Sequence, residues 1–365
     1  MAAGPHNQPI DEGPDRVRAD QWHLITLACA EANTISQGEG VIVAVPDTGV
    51  APHPDLAGNL LQGIDIADGE RSNGHGDRNS HGTGMAGLIA AHGQSNNKGA
   101  RGIAPRAKIL PILSSGIDNQ SSPDNLGKAI EYATSSGAGV ISISSAGGSS
   151  PALREAIRSA LAANVVIVAA AGNQPADAQV GFPASVDGVL AVGGIDRDGN
   201  RAAISVTGPE IDVVAPAVDI YSTSLDGKYR KGTGTSDATA IVAGAAALIR
   251  SKYPYLPARE VAHRLTATAV DKGPPGRDDE YGYGVIDLVA ALTADVPPLG
   301  FESVSAPAGA GPSTTAARRR PDDDDSDATA RGLATLGVIV AAGVAWAVVT
   351  RRRRRSDDPP PRISR

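Results

Sequence analysis

Between residues 41 and 293 the chain alternates between two kinds of segment, and that alternation limits its possible folds more than any other feature. Runs that are apolar at nearly every position, VIVAV, AKILPIL, GVISIS, NVVIVAAAGN and GVLAVGGID, are separated by amphipathic stretches such as LGKAIEYATSSG and PALREAIRSALAA. A strand apolar on both faces needs cover on both faces, and amphipathic helices between strands supply it. The expectation is an α/β three-layer sandwich with a mainly parallel central sheet. With 365 residues and 41% hydrophobic content, the chain can build one large core of this kind.

The ends of the chain read differently. Residues 1–37 form an N-terminal segment whose first twenty, MAAGPHNQPIDEGPDRVRAD, lack the continuous apolar stretch of an export signal. The folded domain is expected over 38–295. Residues 296–331 shift to Pro, Ala, Gly, Ser and Asp, a composition too polar to bury a core, and read as a disordered linker. GLATLGVIVAAGVAWAVVT, 332–350, carries no charge and has the length of a hydrocarbon core about 30 Å thick. One C-terminal transmembrane helix is therefore expected there.

RRRRR opens the tail, 351–365, and outweighs Arg318 to Arg320 and Arg331 on the other side of the span. That bias puts the C-terminus in the cytoplasm and residues 1–331 outside it, as a single-pass protein of the cell membrane. This placement needs an export signal upstream of the sequence as written; a tail-anchored protein with a cytoplasmic domain is the alternative. Cys29 is the only cysteine, which excludes an internal disulfide and a Cys-rich metal site. A net charge of -7, with arginines that lack interleaved aromatics, argues against a nucleic-acid partner.

Three segments carry the candidate chemistry. Asp47 follows VIVAV at a strand end, His81 opens HGTGMAGLIAA, and Ser236 precedes the apolar run AIVAGAAALI. Strand ends and helix starts are where an open α/β sheet gathers functional groups. Each residue also has a plainer reading, as a turn Asp, a helix-cap His or a helix-cap Ser. Taken together they meet a stricter requirement: a serine nucleophile needs a base, the base needs an orienting carboxylate, and the developing oxyanion needs donors. Asn173, ending the strand VVIVAAAGN, can supply a side-chain amide donor, joined by the Ser236 backbone N–H. GTGTS is weak as a nucleotide loop, since no P-loop lysine follows it.

On VAVPDTGVAPHPDL, NSHGTGMAGLIAA, VISISSAGG, VVIVAAAGN and GTGTSDATAIVAGAAAL, in that order, the chain resembles the subtilisin-family (subtilase) serine proteases over about residues 38–293. The resemblance implies a subtilisin-like fold and a serine endopeptidase that works through an acyl-enzyme. It also implies the roles: Asp47 orients, His81 is base then acid, Ser236 is nucleophile as well as helix cap, and Asn173 with the Ser236 N–H forms the oxyanion hole. Ser144, Ser145, Ala146 and Gly147, with Ala171 and Gly172, correspond to the groove that pairs with an extended peptide or protein substrate. No cofactor is implied. Asp55 in HPDL matches a calcium ligand of some relatives, but no further oxygen ligands are recognisable, so no metal is assigned.

Four departures stand out. Pro46 replaces an aliphatic residue and removes a backbone donor beside Asp47. Asp237 replaces the usual Met after the nucleophile and is expected to face away from the site. Ala240 replaces the usual Pro, and Ala146, in place of Gly, is expected to narrow the first pocket. The short N-terminal segment, linker, span and basic tail resemble the mycosins, membrane-anchored subtilases associated with type VII secretion. Type VII membrane components are the partners this implies. The alternative is a catalytically weak or inactive subtilase-fold scaffold of such a complex.

Overall fold

The computed structural model describes residues 7–10, 13–67, 72–116 and 121–300. Its centre is a seven-stranded sheet. In chain order the strands are β2 (Ile42–Asp47), β3 (Ile64–Asp65), β6 (Lys108–Leu113), β7 (Val140–Ile143), β8 (Val166–Ala170), β9 (Leu190–Ile195) and β10 (Val213–Pro216), and across the sheet they run β10-β9-β8-β7-β2-β6-β3. Every described pairing in it is parallel. The expected parallel sheet is what forms.

Burial alternates along these strands as a two-sided core requires. On β2, Val43 and Val45 join a cluster containing Met85, Leu88 and Ile89 of α4 (His81–Ala90) and Ile241 and Leu248 of α7 (Thr235–Lys252). Ala44, between them, joins Leu126 and Ile130 of α5 (Pro123–Ser135) and Leu153 and Ile157 of α6 (Pro151–Ala162) on the opposite face. The helices thus form two layers around the sheet. Pro46 fits because the described ladder between β2 and β7 ends at Ala44, so a missing N–H breaks no bond on that side.

The described N-terminal residues belong to the same compact unit as the sheet. β1 (Asn7–Ile10) pairs antiparallel with β12 (Tyr229–Gly232), which pairs in turn with β11 (Ile220–Thr223). After α1 (Pro14–Asp20) comes Gln21, almost fully buried, whose amide donates to the carbonyls of Arg101 and Tyr221. α2 (Trp22–Thr26) and α3 (Cys29–Ile35) follow, and beyond them the Ser36 hydroxyl donates to the Leu248 carbonyl of α7. β4 (His92–Gln94) and β5 (Lys98–Arg101) form a small hairpin, and α8 (Ala258–Ala267) and α9 (Leu288–Thr293) end the fold. Leu299 N–H donates to the Glu260 carboxylate of α8, so the start of the expected linker lies against that helix.

No helix among the described residues is long and apolar enough to cross a membrane. The expected span at 332–350, the rest of the linker and the basic tail lie outside the described residues.

His23 of α2 is fully buried, and neither ring nitrogen has a hydrogen-bond partner among the described residues. Burial pushes its pKa down to about 3. Because this folded value lies below the unfolded one, the stability is complete above about pH 6.5 and is lost as pH falls toward 3, at about 1.4 kcal/mol per unit. Denaturant unfolding at pH 7 and pH 5 is expected to show a shallower loss for His23→Leu than for the native protein. Equal losses would mean that His23 charges freely in the folded state.

Candidate active site

All four candidate residues sit at the C-terminal edge of the parallel sheet or on a helix that starts there. Asp47 is the last residue of β2, His81 the first of α4, Ser236 the second of α7, and Asn173 follows β8. Both Asp47 carboxylate oxygens lie 2.9 Å from His81 Nδ1. A carboxylate only accepts, so Nδ1 carries the proton and Nε2 is left as the basic nitrogen. Burial opposes a charge on the ring, but the Asp47 charge and hydrogen bond outweigh it and hold the His81 pKa above the ordinary value. Gly82 lets α4 come this near, since a Cβ there would fall 2.1 Å from the Gly49 carbonyl oxygen.

α4 begins without a capping side chain of its own, on Ser80 at φ 71°. Asp77 does the work from four residues upstream. Its Oδ1 accepts from Thr48 Oγ1 (2.9 Å) and from the Asn79 and Ser80 amides (2.9 and 3.0 Å). Its Oδ2 accepts from the Thr83 amide (3.0 Å) and Thr83 Oγ1 (2.6 Å). Thr48 Oγ1 also accepts from the Gly82 amide at 3.1 Å. The free N–H groups of the helix start are thus met by Asp77 and Thr48, which fixes the turn that carries His81. The sequence reasoning did not find this pair; an Asp four residues before a helix-opening His was its only trace.

Ser236 differs from expectation in one respect. The N-cap of α7 is Gly234, in extended backbone at φ 171°, and Ser236 lies inside the first turn, so it does not cap the helix. Its hydroxyl donates to the Ser144 carbonyl (2.9 Å), and Ser144 Oγ donates back to the Ser236 carbonyl (3.2 Å). Ser236 is half-buried between the fully buried Thr235 and Asp237, so of these three only Ser236 reaches solvent. Asn173 Oδ1 accepts from the Thr235 amide (2.9 Å) and Thr235 Oγ1 (3.2 Å). Those two donors fix the amide's orientation and leave Nδ2 as the end available to a developing negative charge.

The groove segments are partly engaged within the protein. Gly147 N–H donates to the Phe182 carbonyl, while the Ala171 N–H and carbonyl are bonded to Val192 and Gly181. The Ala146 methyl is directed at Gly181, where a Cβ would stand only 2.7 Å away. Asp55 is completely buried; its Oδ1 accepts from Gln94 (2.9 Å) and its Oδ2 from the Ala100 amide (2.7 Å). No group of three or more His, Cys, Asp or Glu placed to hold a metal occurs among the described residues.

Asp237 is buried and its Oδ1 lies 3.1 Å from Nη2 of Arg230, a fully buried cation on β12. Burial raises the Asp237 pKa, and the Arg230 charge opposes that rise. Nothing in the sequence marked Arg230 as part of this site.

The model of the peptidase S8 subtilase family matches residues 38–284. Subtilisin DY of Bacillus licheniformis is 40% identical over 260 residues, covering 70% of this chain and 92% of its own length. Among solved structures, MycP1 with its N-terminal propeptide removed is similar at a TM-score of 0.69 and 32% identity, covering 76% of this chain and 98% of that one. The MycP3 protease from the type VII (ESX-3) secretion system is similar at 0.68 and 32%, covering 80% and 92%. The sheet, the order of its motifs and the match to the family agree: the chain belongs to the subtilase family of serine endopeptidases.

Proposed function

We propose that the protein is a membrane-anchored serine endopeptidase in which Asp47, His81 and Ser236 form the catalytic triad. The observation that carries this reading is the bidentate contact between Asp47 and His81 Nδ1 at the sheet edge where α7 presents Ser236. His81 Nε2 takes the Ser236 proton as the hydroxyl attacks the scissile carbonyl, and the hydroxyl must first turn away from the Ser144 carbonyl that it now binds. Asn173 Nδ2 and the Ser236 N–H then receive the oxyanion, and His81 returns the proton to the leaving amine. Water hydrolyses the acyl-enzyme by the same route in reverse. Segments 144–147 and 171–172 flank the peptide substrate.

The sequence and the relatives together support a wider setting. Residues 38–295 are the peptidase domain, 296–331 a linker, 332–350 the anchor and 351–365 a cytoplasmic tail, with residues 7–10 and 13–37 packed along the domain. Two solved relatives are a protease from the type VII (ESX-3) secretion system and an essential component of the type VII (ESX-1) secretion system, and this supports a role in processing secreted proteins at the outer face of such an assembly.

Four measurements test this reading. A fluorophosphonate probe is expected to label the full chain, and Ser236→Ala and His81→Ala are each expected to abolish labelling. Asn173→Ala should retain labelling but lose about 10²–10³-fold in kcat, the size known for the corresponding subtilisin amide. Since neutral His81 is the base and its pKa is raised, kcat/KM should climb with pH through a midpoint above about 6.5. In intact cells, protease added outside should cut residues 21–331; full protection would place the domain in the cytoplasm.

A further inference from the structure

We propose that Arg230 and Asp237 are positioning residues, a buried charge pair that locks the first turn of α7 against β12 and balances the electrostatic field on His81. This rests on the assignment of His81 as the base. Arg230 is among the largest fully buried side chains of the protein. Its Nη2 approaches Asp237 Oδ1 and Oδ2 at 3.1 and 3.5 Å, while Nε and Nη1 have no hydrogen-bond partner among the described residues. A guanidinium sealed from water with a single counter-ion is costly to keep. Its place in the fold gives the reason for keeping it.

Two glycines make the space it fills. A Cβ on Gly84 would fall 2.1 Å from Arg230 Nη1, and one on Gly232 would fall 1.9 Å from Nη2. Gly84 lies one helical turn beyond His81 on α4, and Gly232 lies four residues before Ser236. The guanidinium therefore threads between the helix that carries the base and the loop that leads to the nucleophile. Asp237 completes the link, because it is the residue directly after Ser236.

The charges on His81 come from three elements: Asp47 on β2, Arg230 on β12 and Asp237 on α7. Other charged groups on elements packed against α4 have partners elsewhere. Asp77 is occupied by Thr48, Thr83 and the helix-start amides. Asp55 is held by Gln94 and Ala100, Lys98 pairs with Asp15, Arg101 bonds Asn33, and Lys108 bonds the Gly58 carbonyl and Asn59. Arg230 opposes a positive His81 and Asp237 favours it. As a pair they act on His81 in opposite directions, so the imidazolium formed during catalysis meets neither a lone cation nor a lone anion beside the oxyanion.

The test compares the full chain in detergent with Asp237→Asn and with the apolar double variant Arg230→Met/Asp237→Met, recording fluorophosphonate labelling rate and kcat/KM against pH. Asp237→Asn leaves Arg230 unbalanced, so its acid limb should move to lower pH by about one unit. The double variant removes both charges, and its midpoint should return to that of the native chain. If Asp237→Asn lowers the rate equally at every pH with an unmoved midpoint, the pair is only structural and the proposal fails. Should Asp237→Asn not fold, the double variant decides alone, and a midpoint displaced from the native one overturns the proposal. Absence of labelling in the native chain, or labelling that survives in Ser236→Ala, would instead defeat the assignment of the base and nucleophile.

Discussion

A parallel sheet covered by helices on both faces leaves only its strand ends in reach of water, and the geometry of this protein follows from that constraint. β2, lying between β7 and β6, delivers Asp47 to the edge where α4 and α7 also begin. Parallel strands bring all their C-terminal ends to one side, so residues far apart in sequence converge there with no dedicated scaffold. The burial that stabilises the core also aims the Asp47 carboxylate, since Val43, Ala44 and Val45 lock β2 from both faces.

Close approach is the second theme, and small residues achieve it. α4 meets β2 through Gly82, and it meets β11 through hydroxyls, with Ser222 Oγ donating to the Gly84 carbonyl and Thr223 Oγ1 to the Thr83 carbonyl, both at 2.7 Å. Helix carbonyls that already accept within the helix accept again from a neighbouring strand. The first turn of the helix that carries His81 is thereby tied to β11 as well as to Asp77 and Thr48. A site held this way has little freedom to readjust, so the hydrogen bond from Ser236 to the Ser144 carbonyl reads as a change in one side-chain torsion and not as a displaced backbone.

The fold was legible because its signals were redundant. Each central strand had its own apolar run and each covering helix its own amphipathic period, so the three layers could be read without knowing which strand lay beside which. The meeting of Asp47, His81, Asn173 and Ser236 at one sheet edge was legible because each stood at a strand end or helix start. Arg230 was not, since a charged residue in YRKG looks like surface, and only the three-dimensional meeting of Gly84, Gly232 and Asp237 buries it. The cap on α4 escaped for a similar reason: Asp77 acts from four residues upstream, outside the usual N-cap spacing. The capping role expected of Ser236 failed because Gly234, two residues earlier, already turns the chain into the helix.

The pairing of β1 with β12 has a consequence for biosynthesis. Residues 7–10 leave the ribosome well before their partner strand, 229–232, which is made only when most of the domain has been translated. Contacts of such sequence separation form late, because a long loop must close before they are rewarded. The same strand leads directly into the turn that bears Ser236. During synthesis, then, the nascent chain carries Asp47 and His81 before the proposed nucleophile exists, and a protease that could attack its own unfolded segments comes into existence only once those segments have been made.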